Sequence, residues 1–163
     1  MTKIRRNRRK LLIVLRIVFN LCLLGTVAFI FLNSAQNGEN SGNLSLKIME
    51  LLNRITARLG LRFNFSHLLV RKLAHFAEYM MLGFWMMLTL RVYTWRLLSH
   101  ISWPLFFGLL LPTLDESFQL LVPNRSGQLF DVLIDFAGST TGICIALFLL
   151  LISRAFWEEL QRY

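Results

Sequence analysis

LLIVLRIVFNLCLLGTVAFIFL, residues 11–32, carries one charge, Arg16, in 22 positions. A helix rising about 1.5 Å per residue needs roughly 17–25 apolar residues to cross a hydrocarbon core about 30 Å thick, and this stretch meets that length. Three further apolar runs follow at 73–90, 97–114 and 132–152, so that nearly half of the 163 residues lie in such runs. Composition agrees, with 55% hydrophobic and 17% charged residues. A soluble domain would alternate apolar and polar faces along most of its helices. These features exclude a soluble enzyme, a disordered chain and a disulfide-stapled secreted module. They predict an all-α polytopic membrane protein of four transmembrane helices.

The residues flanking the first run set its orientation. Lys3, Arg5, Arg6, Arg8, Arg9 and Lys10 precede it, contributing much of a net charge of +9. Beside an apolar span, such a block reads as a cytoplasmic anchor under the positive-inside rule and not as a nucleic-acid site. A cleaved signal peptide, with Ser34-Ala35-Gln36 as its processing region, is the competing reading. Signal cores run to about 7–15 residues, so this core is too long. With the N-terminus inside, ten Lys and Arg fall in inner segments and seven in outer ones. Both termini are therefore expected in the cytoplasm, with residues 1–10 a basic tail, 11–152 the transmembrane domain and 153–163 a second tail.

The first outer loop, 33–72, opens on polar Asn33-Ser34-Ala35-Gln36-Asn37-Gly38. From 45 to 59, Leu46, Met49, Leu52, Ile55 and Leu59 recur at steps of three and four, opposite Lys47, Glu50, Arg54 and Arg58. This pattern predicts a short amphipathic helix lying in the outer interface or covering the mouth of a site. Pro104 and Pro112 are expected to kink or loosen the third span. Gly138 and Gly142 permit close helix approach in the fourth. Cys22 and Cys144 both fall inside spans and read as small apolar side chains, and His100 as an interfacial residue.

Charge inside a bilayer costs about 2.5–3.5 kcal/mol per residue at helix centre, so charged groups near spans need a reason. In the second run Arg71, His75 and Glu78 share one helical face, with Lys72 and Tyr79 beside them. Asp115, Glu116 and Gln119 close the third run. Asp131 and Asp135 stand one turn apart at the start of the fourth, after the turn containing Arg125. The predicted topology brings all of these to the outer side of the membrane. Charges of both signs at that depth should pair, shift their protonation or bind an ion. A helix-locking network is one reading, with Asp131 capping the fourth helix and Arg71 or Arg125 neutralising Asp115 or Glu116. The other is a functional polar site. His75, Glu78, Asp131 and Asp135 are then the candidates for proton transfer. Arg71, Lys72 and Arg125, with Asp115, Glu116 and Gln119, are the candidates for binding an anionic substrate. His75, Glu78, Asp131 and Asp135 could also hold a divalent cation, although spacing across three helices assigns no metal site.

Two segments resemble the VanZ-like family of small bacterial membrane proteins. The first is Arg71-Lys72-x-x-His75-Phe76-x-Glu78-Tyr79-x-x-Leu82-Gly83. The second runs Asp115-Glu116-x-x-Gln119, Pro123-x-Arg125-Ser126-Gly127, then Asp131-x-x-x-Asp135-x-x-Gly138-x-x-x-Gly142. Asn124 stands where family members often have glycine, and Leu121 and Val122 where an aromatic is expected. The resemblance implies four helices in the bacterial cytoplasmic membrane. It also implies a link to the cell envelope, because the family's namesake is associated with resistance to the glycopeptide teicoplanin. It supplies neither a reaction nor a cofactor. The partners it suggests, besides the lipid bilayer, are a lipid-linked cell-wall precursor or a lipoglycopeptide. A membrane-embedded enzyme acting on an envelope lipid or glycan, or a non-catalytic partner subunit, remains the alternative.

Overall fold

The computed structural model describes residues 3–36, 38–123, 128–154 and 157–158. All regular elements among them are helical: α1 (Lys3–Ser34), α2 (Gly38–Arg58), α3 (His67–Tyr93), a 3-10 turn (Leu98–His100), α4 (Ser102–Gln119) and α5 (Leu129–Ile152). Three helices are long and apolar enough to cross a membrane: α1 over Arg6–Ser34, α3 and α5. In α4 the last two turns carry Asp115, Glu116 and Gln119, which dilute its apolar character.

The burial pattern is that of a bundle bathed in hydrocarbon. Asp115, Gln119, Asp135 and Ser139 are fully buried, whereas Leu21, Leu24, Leu32, Trp103, Phe106 and Phe148 are among the exposed side chains. On α4 the exposed hydroxyls of Thr113 and Ser117 donate to Leu109 O (2.8 Å) and Thr113 O (2.6 Å) of their own helix. An exposed hydroxyl is satisfied in this way within its own helix.

The α3–α5 pair is the spine of the fold. Glycines bring the two backbones into contact: a methyl added at Gly83 would collide with the Ser139 carbonyl, one at Gly138 with Phe76 O, and one at Gly142 with Met80 O. The close approach expected of Gly138 and Gly142 is thus made, and Gly83 supplies its other half.

Several boundaries depart from the apolar runs. α2 begins at Gly38, seven residues before the predicted start, so much of the polar stretch is helical. It ends at Arg58, and Gly60 follows in a turn with a φ of +71° that suits glycine. Asn53 then ties the connection, accepting from Phe65 N (2.7 Å) and donating to Phe65 O (3.2 Å). α3 starts six residues before its run, where Ser66 caps it by accepting from Leu69 N. α4 starts five residues after its run. Pro104 falls in its first turn, where a backbone donor is unused in any case. Pro112 lies inside the helix yet does not end it. Proline at 112 leaves the Gly108 carbonyl without its usual donor, and Ser139 Oγ of α5 donates to that oxygen at 3.1 Å.

Candidate functional site

The C-terminal end of α1, the start of α3, the end of α4 and the start of α5 meet at one end of the bundle. Their meeting point is polar. Gln119 Nε2 lies between three acceptors, Asp115 Oδ2 (3.1 Å), Glu116 Oε1 (3.2 Å) and Ser34 Oγ of α1 (3.4 Å). Glu116 also accepts from the backbone N–H of Gln128 (3.0 Å), the residue preceding α5. Asn33 Nδ2 donates to Glu78 Oε1 (2.9 Å), and His75 Nδ1 stands 4.0 Å from Glu78 Oε2. Lys72 Nζ donates to Asp131 Oδ1 (2.8 Å) at the partly exposed rim.

Depth separates the carboxylates. Asp131 is in the first turn of α5, where a negative charge complements the helix dipole. Its carboxylate holds Lys72, and the N-cap position itself is Gln128, so Asp131 is not the expected cap. Asp135 is one turn, about 6 Å, deeper. It is fully buried, and neither of its oxygens has a hydrogen-bond partner among the described residues. Asp115 is fully buried too, with Oδ1 unpartnered. The Tyr79 hydroxyl lies beside both acids.

Two cavities reach this cluster, and His75 faces each. One, of about 50 Å3, is bounded by Arg71, Lys72, His75, Gln128, Asp131 and Asp135. The other, of about 280 Å3, lies among α1, α2 and α3 and is lined by Asn33, Arg71, His75 and Glu78. Leu44, Ser45 and Ile48 of the amphipathic helix form one wall of the second, so α2 borders the polar end directly.

A family model described as VanZ/LLP1 matches residues 19–151. The chain belongs to the VanZ/LLP1 family. Comparison with curated proteins and with solved structures gives no match. The matched region contains every element of the polar end from Asn33 to Asp135.

Nine of the ten candidate residues of this VanZ/LLP1 protein gather there. Asp115, Glu116, Gln119 and Asp135 form the buried part with half-buried His75 beside them, while Glu78 accepts from Asn33. Arg71, Lys72 and Asp131 line the opening. Arg125 lies outside the described residues. Among the described residues Glu116 is hydrogen-bonded by the Gln128 amide and the Gln119 side chain, with the Arg71 charge acting on it from farther away. Sequence reasoning missed Asn33 and Ser34, which it placed in a loop. Their signal was two hydrogen-bonding residues directly after a span whose outer end must meet Glu78 and Gln119. Gln128 contributes through its backbone and has no side-chain signal.

Proposed function

We propose that this VanZ/LLP1 protein crosses the bacterial cytoplasmic membrane four times, with both termini inside, and lowers susceptibility to teicoplanin-type lipoglycopeptides through the polar end of the bundle. α4 is the fourth crossing: Trp103, Phe106, Leu109, Leu114 and Phe118 are exposed while Asp115, Glu116 and Gln119 are buried. The basic N-terminal tail then puts the polar end at the outer surface, with α2 beside it in the interface. Residues 11–152 form the membrane domain and the segments on either side its cytoplasmic tails. Cysteines placed at Gly38 and Gly127 should react with an impermeant thiol reagent from outside; labelling only from the cytoplasmic side inverts the orientation.

The observation that supports the function most is the opening edged by Arg71 and Lys72, which has the buried acid Asp135 in its lining. A cationic rim suits the phosphate or carboxylate of an amphiphile whose acyl chain stays in the bilayer, a description that fits a lipid-linked wall precursor and a lipoglycopeptide. The 50 Å3 cavity is far below the roughly 300–1,000 Å3 of sites that enclose whole ligands, so contact is made at the rim and only a small group enters. In this reading Arg71, Lys72 and Arg125 hold the anionic group, with Asp115, Glu116 and Gln119 shaping the floor. His75, Glu78, Asp131 and Asp135 position the cations or carry protons. Glu78→Gln, Arg125→Gln and Asp131→Asn, each at wild-type membrane level, should raise teicoplanin susceptibility. Unaltered susceptibility in all three defeats the reading. If all three proteins vanish from the membrane, the network is a packing device and the subunit reading takes its place.

A further inference from the structure

His75 of α3, Asp115 of α4 and Asp135 of α5 each bring a metal-binding atom to one point, the three atoms lying within 4.8 Å of one another. With metal–ligand bonds of about 2.0–2.2 Å, neighbouring ligand atoms stand roughly 3–3.5 Å apart, so small side-chain rotations would close the triangle around an ion. Among the described residues, Asp135 is fully buried with both oxygens unpartnered, and Asp115 is fully buried with one oxygen unpartnered. Buried carboxylates in a structure are ordinarily paired, hydrogen-bonded or bound to a metal. No lysine or arginine among the described residues forms an ion pair with either acid; Lys72 is engaged by Asp131.

The surroundings are arranged as they are around metal ligands. Gln119 donates to Asp115 Oδ2 and leaves Oδ1 directed elsewhere, which is how an outer residue orients a ligating carboxylate. The Gly83, Gly138 and Gly142 contacts fix α3 against α5, and with them His75 against Asp135. The adjoining cavity of about 50 Å3 exceeds the 10–15 Å3 or so that one water requires, leaving room for water to complete a coordination sphere.

We propose that His75, Asp115 and Asp135 bind one divalent transition-metal cation, zinc or manganese. One imidazole and two carboxylates suit these ions, whereas calcium takes about six to eight oxygen ligands. Two carboxylates and a divalent ion sum to zero charge, which removes the cost of burying the acids unpaired. A cation there faces the rim of Arg71 and Lys72, so an anionic group entering the cavity would meet a Lewis acid at its floor. The proposal deepens the reading of the polar end as a functional site and rests on it only for that direction of approach.

Elemental analysis of full-length protein purified in detergent without chelator tests it. Wild type should carry one equivalent of zinc or manganese, and Lys72→Gln should carry the same. Asp135→Asn and His75→Gln should fall to background. Chelator-stripped wild type should gain several degrees in melting temperature on adding zinc or manganese chloride, because an ion that binds the native state stabilises it. This second measurement needs no variant and holds if the substitutions unfold the chain. Absence of stoichiometric metal together with no thermal shift overturns the proposal, as does full metal retention by folded Asp135→Asn. Metal content is independent of antibiotic response. Lys72→Gln that keeps its metal and its protection defeats the rim's role alone, whereas metal-free wild type that protects cells defeats the cation alone.

Discussion

The two ends of the bundle treat buried charge in opposite ways. At the end where α1 begins and α5 finishes, Arg91 is buried and Arg16 half-buried, and both are satisfied. Arg91 is 4% exposed, yet its guanidinium sits over the rings of Trp95 and Trp157 at 5.3 and 5.4 Å and donates to Thr94 O. Arg16, the one charge inside the first apolar run, donates to Val92 O and lies over the Tyr93 ring. At the opposite end the buried charges are acids, and Asp135 has no hydrogen-bond partner among the described residues. A guanidinium laid on aromatic faces and carbonyls is already stabilised where it stands. A carboxylate with neither donor nor counter-ion still has an interaction to make. On the proposed function, the basic end is an anchor and the acidic end the place where a ligand is met.

Substitutions can break that division, and they should do so by very different amounts. Gly142→Val should abolish both ends together, since its side chain meets the Met80 backbone and cannot be absorbed by a rotamer change. The overpacking cost of about 3 kcal/mol or more predicts loss from the membrane fraction on an immunoblot. Asp135→Asn should leave the membrane level intact and reduce protection against teicoplanin to that of cells lacking the protein. Equal protection at equal level would remove the distinction between the ends. Arg91→Ala should do the converse. Losing two desolvated cation–π contacts costs about 2 kcal/mol, visible as a lower melting temperature in detergent, while protection per molecule stays constant. The smallest effect belongs to Lys72→Gln, because the Lys72–Asp131 pair is partly exposed. Its stability cost should be at most about 1 kcal/mol and should shrink at high salt, as urea or thermal unfolding at two ionic strengths would report.

Apolar run length made α1, α3 and α5 legible, because a segment that must face lipid has little freedom in composition. Helix ends were less legible. α4 begins where Trp103 and Pro104 occupy a first turn, and hydropathy does not register capping. α2 extends back through Gly42 and Asn43, which have weak intrinsic helicity. Tertiary contact supplies what propensity lacks there: Ser45 is buried, and His67 Nε2 lies 3.2 Å from the Gly42 carbonyl.

At the site, the gathering of His75, Asp115 and Asp135 was readable from helix order and the i, i+4 spacing of the polar residues. The partners were not. Which acid meets Lys72, and that Asn33 donates to Glu78, depends on the rotation of each helix about its axis. Glycine contacts set that rotation for α3 and α5, and Gly83 discloses its role only when Ser139 is seen against it. Ser139 carries no signal of its own in the sequence. That it would supply a donor to a carbonyl freed by Pro112, 27 positions earlier, required both helices to be in place.

That last bond has a mechanical consequence. It fastens α4 to α5 at Gly108, while Asp115 lies beyond Pro112, past the rung that proline leaves out of the helical ladder. The segment from Thr113 to Gln119 is thus a lever with its pivot at Pro112, and Asp115 rides on it. His75 and Asp135 ride on the welded pair α3–α5 and share one frame. Any bending of α4 at Pro112 would alter the distances from Asp115 to the other two and leave the His75–Asp135 distance unchanged.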